Sequence, residues 1–267
     1  MNDGTGIDYA ALIERVLRDD LAMTYFVDKW YHHAATVFDH RPRKSGKLRV
    51  SDAGTCRLML WADVHGKFDL PEDVNSVDDK MQPGILDGAR TAYLIAAGIK
   101  RWFWPLTASI EQEVDACGIP GHADLIVWAD PDPIEVIECK MTLYSKPIVD
   151  PKDRHPYWLH QACRYALSIN APNFVVLVHA PCVWNGATRA SFRYSTDEYM
   201  AQTVDEYGRL AAAFGDDAPE PDRGIADPRA DVDERWRCKS CRYSQCGNNE
   251  NPKRPTVDTI VDELATI

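Results

Sequence analysis

No apolar run in the chain approaches the roughly 20 residues needed to span a bilayer; the longest candidate is the short stretch Tyr93–Ile99. The opening residues, Met-Asn-Asp-Gly-Thr-Gly, have neither the basic start nor the apolar stretch of a secretory signal. A cytoplasmic protein without a membrane partner is the expectation. Internal repeats are absent, and 15 Gly and 17 Pro in 267 residues are too few for a collagenous chain. An apolar fraction of 45% excludes disorder as a description of the whole. There is no basic surplus either: 41 acidic against 30 basic residues leave a net charge of -11, so a polyanion would have to be met by local patches. A phosphate-binding loop is also missing. Ser45-Gly46-Lys47 resembles part of one, but Arg41 stands where glycine is required and Leu48 where a hydroxyl is required.

Cysteine is not scarce, and in a reducing compartment clustered cysteines point to metal or redox chemistry rather than disulfides. Of the eight, Cys117, Cys139, Cys163 and Cys182 are scattered singly and read as small buried hydrophobes. Cys238-x2-Cys241-x4-Cys246 is a cluster, and Cys56 stands far upstream of it.

Four regions follow from composition. Residues 1–50 form an N-terminal helical region, with apolar Leu12, Val16, Leu21, Phe26 and Trp30 at helical spacing, followed by a wholly basic loop, Arg41–Arg49. Residues 51–215 form the core. A helix near Ser51 carries Cys56, Leu58, Leu60 and Trp61, and a second runs from about Pro83 to Ala97. The period then changes to two, predicting strands at Glu111–Val114, Gly121–Trp128 and Glu135–Lys140. A helix over His155–Ile169, a buried strand over Asn173–His179 and a helix over Thr196–Phe214 complete it. Residues 216–234 hold eight acids and three prolines, an exposed linker. Residues 235–267 bring in the cysteine cluster, with Arg235, Arg237, Lys239 and Arg242 interleaved with Trp236 and Tyr243. Those rings suit either stacking on unpaired bases or packing under the cluster. The fold expected is α/β (α+β), a central mixed sheet flanked by helices.

The chemistry concentrates in Gly121-His-Ala-Asp-Leu-Ile-Val-Trp-Ala-Asp-Pro-Asp-Pro-Ile-Glu-Val-Ile-Glu-Cys-Lys140. With the turn centred on Pro131, antiparallel partners have numbers summing to 262. Asp124 then lies directly opposite Glu138, about 5 Å away at Cβ, with Lys140 on the same face. Two facing carboxylates repel unless something neutralises them, and a divalent cation with hard oxygen ligands, Mg²⁺ or Mn²⁺, would do so. Such an ion lowers the pKa of a bound water and stabilises a pentavalent phosphoryl transition state. Lys140 would orient or deprotonate the water, or offset charge on the phosphate. By composition alone, a solvated face with a surface ion pair explains the same residues.

Gly-x-x-Asp, a turn and Glu-x-Lys resemble the PD-(D/E)XK nuclease superfamily, and Gln161-Ala-Cys-Arg-Tyr165 is similar to the Gln-x-x-x-Tyr element of its RecB-like branch. Cys56 before the core and Cys238, Cys241 and Cys246 after it resemble the iron–sulfur members, which include the CRISPR-associated exonuclease family and AddB-type nuclease domains. The resemblance implies a restriction-endonuclease-like fold in which those four cysteines bind a 4Fe–4S cluster, a staple joining the helix of Cys56 to the C-terminal segment. Zinc at the same thiolates stays open. It further implies a metal-dependent exonuclease acting on single-stranded DNA ends. Asp124, Glu138 and the Cys139 carbonyl would hold the metal, Lys140 would serve the water, and Gln161 and Tyr165 would line the DNA backbone. Helicase, recombination or CRISPR partner proteins and a homo-oligomer are compatible with it. The sequence departs from the family in one place: counting four residues from Gly88, where members carry a metal-binding His, reaches Ala92. His122 or a Glu of the Glu111–Glu113 strand would have to substitute, or the relative is a catalytically weak or inactive DNA-end binder.

Overall fold

The computed structural model describes residues 5–37, 48, 50, 60–61, 65, 82–115, 118–142, 147–181 and 188–212. Cys56, Cys238, Cys241, Cys246, the basic loop up to Lys47 and the acidic linker lie outside the described residues.

The N-terminal helices are short amphipathic pieces. Helix α1 (Tyr9–Val16) starts where the Asp8 carboxylate accepts the Ala11 N–H, and it buries Tyr9, Leu12, Ile13 and Val16. Helix α2 (Asp20–Val37) follows, and then α3 (Gln82–Trp102), whose Gly98 lies against Leu12 of α1. A Cβ there would come within 2.6 Å of the leucine, so glycine is what allows the two helices to pack this closely.

A five-stranded sheet follows in the order β1 (Thr107–Asp115), β2 (Pro120–Ala129), β3 (Asp132–Met141), β4 (Asn173–His179), β5 (Arg189–Ser195). All neighbours are antiparallel except β3 and β4, which run parallel. The crossover between them is α4 (Pro151–Arg154) and α5 (Pro156–Ile169), begun by prolines and ended by Asn170 in the left-handed conformation, φ 58. Helix α6 (Thr196–Ala211) closes the described part. Two helical layers thus sandwich the sheet. On one face, Leu159, Ala162, Tyr165, Tyr207 and Leu210 of α5 and α6 meet Ile126, Val136, Phe174 and Val176. On the other, α1, α2 and α3 meet Leu125, Val127, Ile137, Val175 and Leu177. Each fully buried aliphatic or aromatic side chain contributes about 1.5–3 kcal/mol, which is why β4, apolar on both faces, sits near the centre.

Several polar groups are built into that interior, and one ties distant segments together. Glu135 is fully buried, and Arg193, Tyr9 and Thr5 all hydrogen-bond its carboxylate. Arg193 also donates to the Ile7 carbonyl at 2.8 Å, so the network ties the N-terminal segment to the sheet.

The sequence expectation and the structure agree on the mixed sheet and its flanking helices and differ in detail. Helix α3 runs to Trp102 rather than Ala97, and α6 ends at Ala211 rather than Phe214. Strand β5 was not expected. Its alternation (Ala190, Phe192 and Tyr194 between Arg189, Ser191 and Arg193) is short and marks an edge.

Candidate active site

The β2–β3 turn is not centred on Pro131. Ala129 pairs with Asp132 across Asp130-Pro131, and a register shift between Val127 and Trp128 moves the pairing by one residue. From Val127 onward into the strand, partners sum to 262: Val127 faces Glu135, Ile126 faces Val136 and Leu125 faces Ile137. On the other side, Leu125 faces Ile110. Continued by one residue, the two registers bring Glu111, Asp124 and Glu138 level across three neighbouring strands, roughly 4.8 Å from one strand to the next, although neither Glu111–Asp124 nor Asp124–Glu138 is itself a ladder pair.

This rung is irregular. The ladder skips Glu111, whose φ is 50, a left-handed conformation that costs a non-glycine residue about 1–2 kcal/mol. Beside it, Ala123 and Ile126 pack into the α5 layer while Leu125 packs into the α3 layer, so strict alternation is interrupted next to Asp124. His122, between Gly121 and Ala123, is exposed and pairs across the ladder with Glu113.

The side chains interlock at this rung. Asp124 Oδ2 accepts the backbone N–H of Cys139 at 2.7 Å. Lys140 Nζ donates to Glu138 Oε1 at 2.7 Å and to Gln161 Oε1 at 2.8 Å. Tyr165 lies one turn further along α5 on the same helical face as Gln161. Gly121 leaves room for the tyrosine ring; a Cβ there would lie 2.7 Å from Tyr165 Cε1. Glu138 is only 2% exposed, and its second oxygen, Oε2, has no hydrogen-bond partner.

Electrostatics follow from this crowding. Burial and then Glu138 push the Asp124 carboxyl well above the usual carboxylate range. The same two causes move Glu111 up to about 7. Burial pulls the Lys140 ammonium down, but Glu138 and Asp124 outweigh it and hold the group above its ordinary value, so it stays charged. Burial, with Glu138 adding to it, keeps the Tyr165 phenol protonated. Cys139 packs into the α3 layer, away from the lysine, and burial raises its thiol.

Oxygen donors dominate the rung: three carboxylates and the Cys139 carbonyl, against which Gly88 of α3 packs. That donor set, with one buried carboxylate oxygen left unpaired, fits a hard divalent cation. Among the described residues, no group of three or more His, Cys, Asp or Glu side chains is arranged to hold a metal ion, so the fit is one of donor type and not of geometry. Ala92, four residues after Gly88, is fully buried, and Thr91 beside it is buried too.

Sequence reasoning did not find the pairing of Asp87 with His179, whose Nδ1 lies 2.6 Å from the Asp87 carboxylate. The two residues join α3 to the end of β4 on the Cys139 side, and no local motif connects positions so far apart. Among the described residues, no helix is long and apolar enough to cross a membrane.

No family model matches the sequence, and no curated protein matches it. Solved structures do show similarity. The crystal structure of an alkaline exonuclease, LHK-Exo, from Laribacter hongkongensis is 14% identical over 67% of this chain and 92% of that one, with a TM-score of 0.42. LHK-Exo in complex with dAMP gives 15% identity over 63% and 88%, with a TM-score of 0.38. The crystal structure of SSO0001 is 17% identical over 87% of this chain and 98% of that one, and with a TM-score of 0.50 it shares the fold described above.

Proposed function

We propose that the protein is a metal-dependent DNA exonuclease that hydrolyses phosphodiester bonds at single-stranded ends. The observation that carries this reading is the cluster itself: Glu138, buried with one oxygen unpaired and bonded to a charged lysine, next to Cys139, whose N–H the Asp124 carboxylate accepts. A fold gains nothing from stacking carboxylates this way, and perturbed groups concentrate where chemistry is done.

In this reading Asp124, Glu138 and the Cys139 carbonyl hold Mg²⁺ or Mn²⁺, with Glu111 as the neighbouring acid; His122, exposed, lies outside the set. When bound, the cation supplies Lewis acidity and a water of lowered pKa. Lys140, kept as an ammonium, would donate to the attacking water and offset charge developing on the phosphate. Gln161 fixes the lysine, and Tyr165 lines the strand's backbone. A 4Fe–4S cluster on Cys56, Cys238, Cys241 and Cys246 is part of the proposal and would act as a staple. Anaerobic purification with iron and sulfide analysis separates it from zinc.

A second reading, a non-cleaving DNA-end binder of the same fold, is favoured by Ala92 standing buried where a metal-binding histidine belongs. End-labelled single strands incubated with and without Mn²⁺ discriminate the two. Mn²⁺-dependent shortening that is lost in Lys140→Ala supports the nuclease; DNA affinity with no cleavage selects the binder.

A further inference from the structure

The end of α4 and the start of α5 bring a guanidinium, Arg154, together with the rings of His155, Tyr157 and Trp158. The His155 and Trp158 ring centroids are 4.0 Å apart, and Tyr157 stands edge-on to both, 5.7 Å from His155 and 5.8 Å from Trp158. Tyr157 and Trp158 pack against the α5 layer, yet all three rings are only half-buried. Arg154, His155 and Trp158 border a narrow crevice with Thr142 and Val178.

Its position is set by the sheet. Val178 is the cross-strand partner of Lys140. Thr142, whose N–H continues the ladder to the His179 carbonyl at 2.8 Å, lies two residues beyond Lys140, about 6.6 Å along the chain. The helix agrees: Tyr157, Gln161 and Tyr165 are spaced by four and form one stripe facing the same rung. The crevice, about 20 Å³, holds no more than a water molecule, so a ligand would meet its rim of ring faces and not be enclosed by it.

We propose that this shelf is a nucleobase subsite: the unpaired base adjoining the phosphate at Lys140 stacks on the His155–Trp158 pair, and Arg154 takes the next phosphate. It deepens the nuclease reading and rests on it. Every base has a π-face, so a stacking shelf is tolerant of sequence, whereas a base still paired in a duplex cannot reach it. Arginine supplies the planar donor geometry that phosphate oxygens accept. The shelf thereby accounts for a preference for unpaired ends with no sequence motif.

The test uses the intact protein and two end-labelled single strands of equal length, one abasic over its terminal residues at both ends. With Mn²⁺, KM for the abasic strand is expected to rise about tenfold, the size of one lost stacking contact, with kcat nearly unchanged. Trp158→Leu should erase that discrimination, and Trp158→Phe should keep most of it. Equal KM for the two strands in the wild type overturns the subsite while leaving the nuclease reading intact. Should no strand be cleaved, binding by fluorescence anisotropy in Ca²⁺ decides: tighter binding of the base-bearing strand upholds the shelf, and equal or absent binding refutes it.

Discussion

Gln161 Oε1 accepts a hydrogen bond from Lys140 Nζ at 2.8 Å, joining α5 to β3 on the carboxylate rung. The lysine has Glu138 on one side and Gln161 on the other, and both bonds aim its ammonium. Replacing Gln161 by Ala leaves one of them. A hydrogen bond to a charged group is worth about 1.5–3 kcal/mol, so cleavage by Gln161→Ala should fall about 10- to 100-fold in kcat. Circular dichroism should show the fold retained.

Asp124 illustrates the conflict between stability and activity. Its carboxyl is crowded by Glu138 and held far above its ordinary value, while one oxygen accepts the Cys139 N–H. Asn keeps that acceptor and removes the repulsion. Asp124→Asn should stabilise the metal-free protein by about 0.5–2 kcal/mol and abolish Mn²⁺-dependent cleavage. Urea denaturation with a parallel nuclease assay checks both halves, and a destabilised variant would contradict the repulsion.

Glu111 gives the pH dependence. Its ordinary value is 4.5, and burial followed by Glu138 moves it to about 7. The folded chain therefore binds this proton more tightly than the unfolded chain does. The stability it contributes is complete below pH 4.5 and lost as pH rises through about 7. A cation at the rung competes with the same proton. The thermal stabilisation given by Mn²⁺ should thus grow between pH 6 and 8, and Glu111→Gln should flatten that growth. A pH-independent shift in melting temperature would count against the linkage.

Two substitutions separate site geometry from scaffold. Gly121→Ala sets a methyl 2.7 Å from the Tyr165 ring and 3.0 Å from Val50, and overpacking of this kind costs about 1–3 kcal/mol. Activity should fall with stability, because the ring it displaces lies one helical turn from Gln161, the partner of Lys140. Arg193→Ala instead strips the cation from fully buried Glu135. It should cost about 3–5 kcal/mol in denaturant unfolding while kcat at low temperature stays near the wild-type value.

The hairpin's two strands are legible in the sequence because strand alternation and a sum of residue numbers are local arithmetic. The register expected for Asp124 and Glu138 holds up to the neighbouring Leu125–Ile137 pair, through a two-residue turn and a shift at Trp128 that offset each other and not through symmetry about Pro131. What local arithmetic does not contain is the interruption of alternation at Asp124, so His122, expected beside it, stands exposed on its own side of Ala123. Glu111 was a candidate by residue type, but its left-handed backbone is a tertiary consequence of the crowded rung. Contacts between distant segments, such as Asp87 with His179 and Glu135 with Arg193, carry no periodic signal at all. Strand β5 was passed over because its alternation is carried by only Phe192, Tyr194 and a small alanine.

A Mn²⁺ titration followed by electron paramagnetic resonance reads the shared ion without requiring turnover. The wild type should show a site that weakens at least tenfold in Asp124→Asn and again in Glu138→Gln, while Arg193→Ala leaves it unchanged. Equal Mn²⁺ affinity and stoichiometry in all four proteins would mean that the two acids do not hold a common cation.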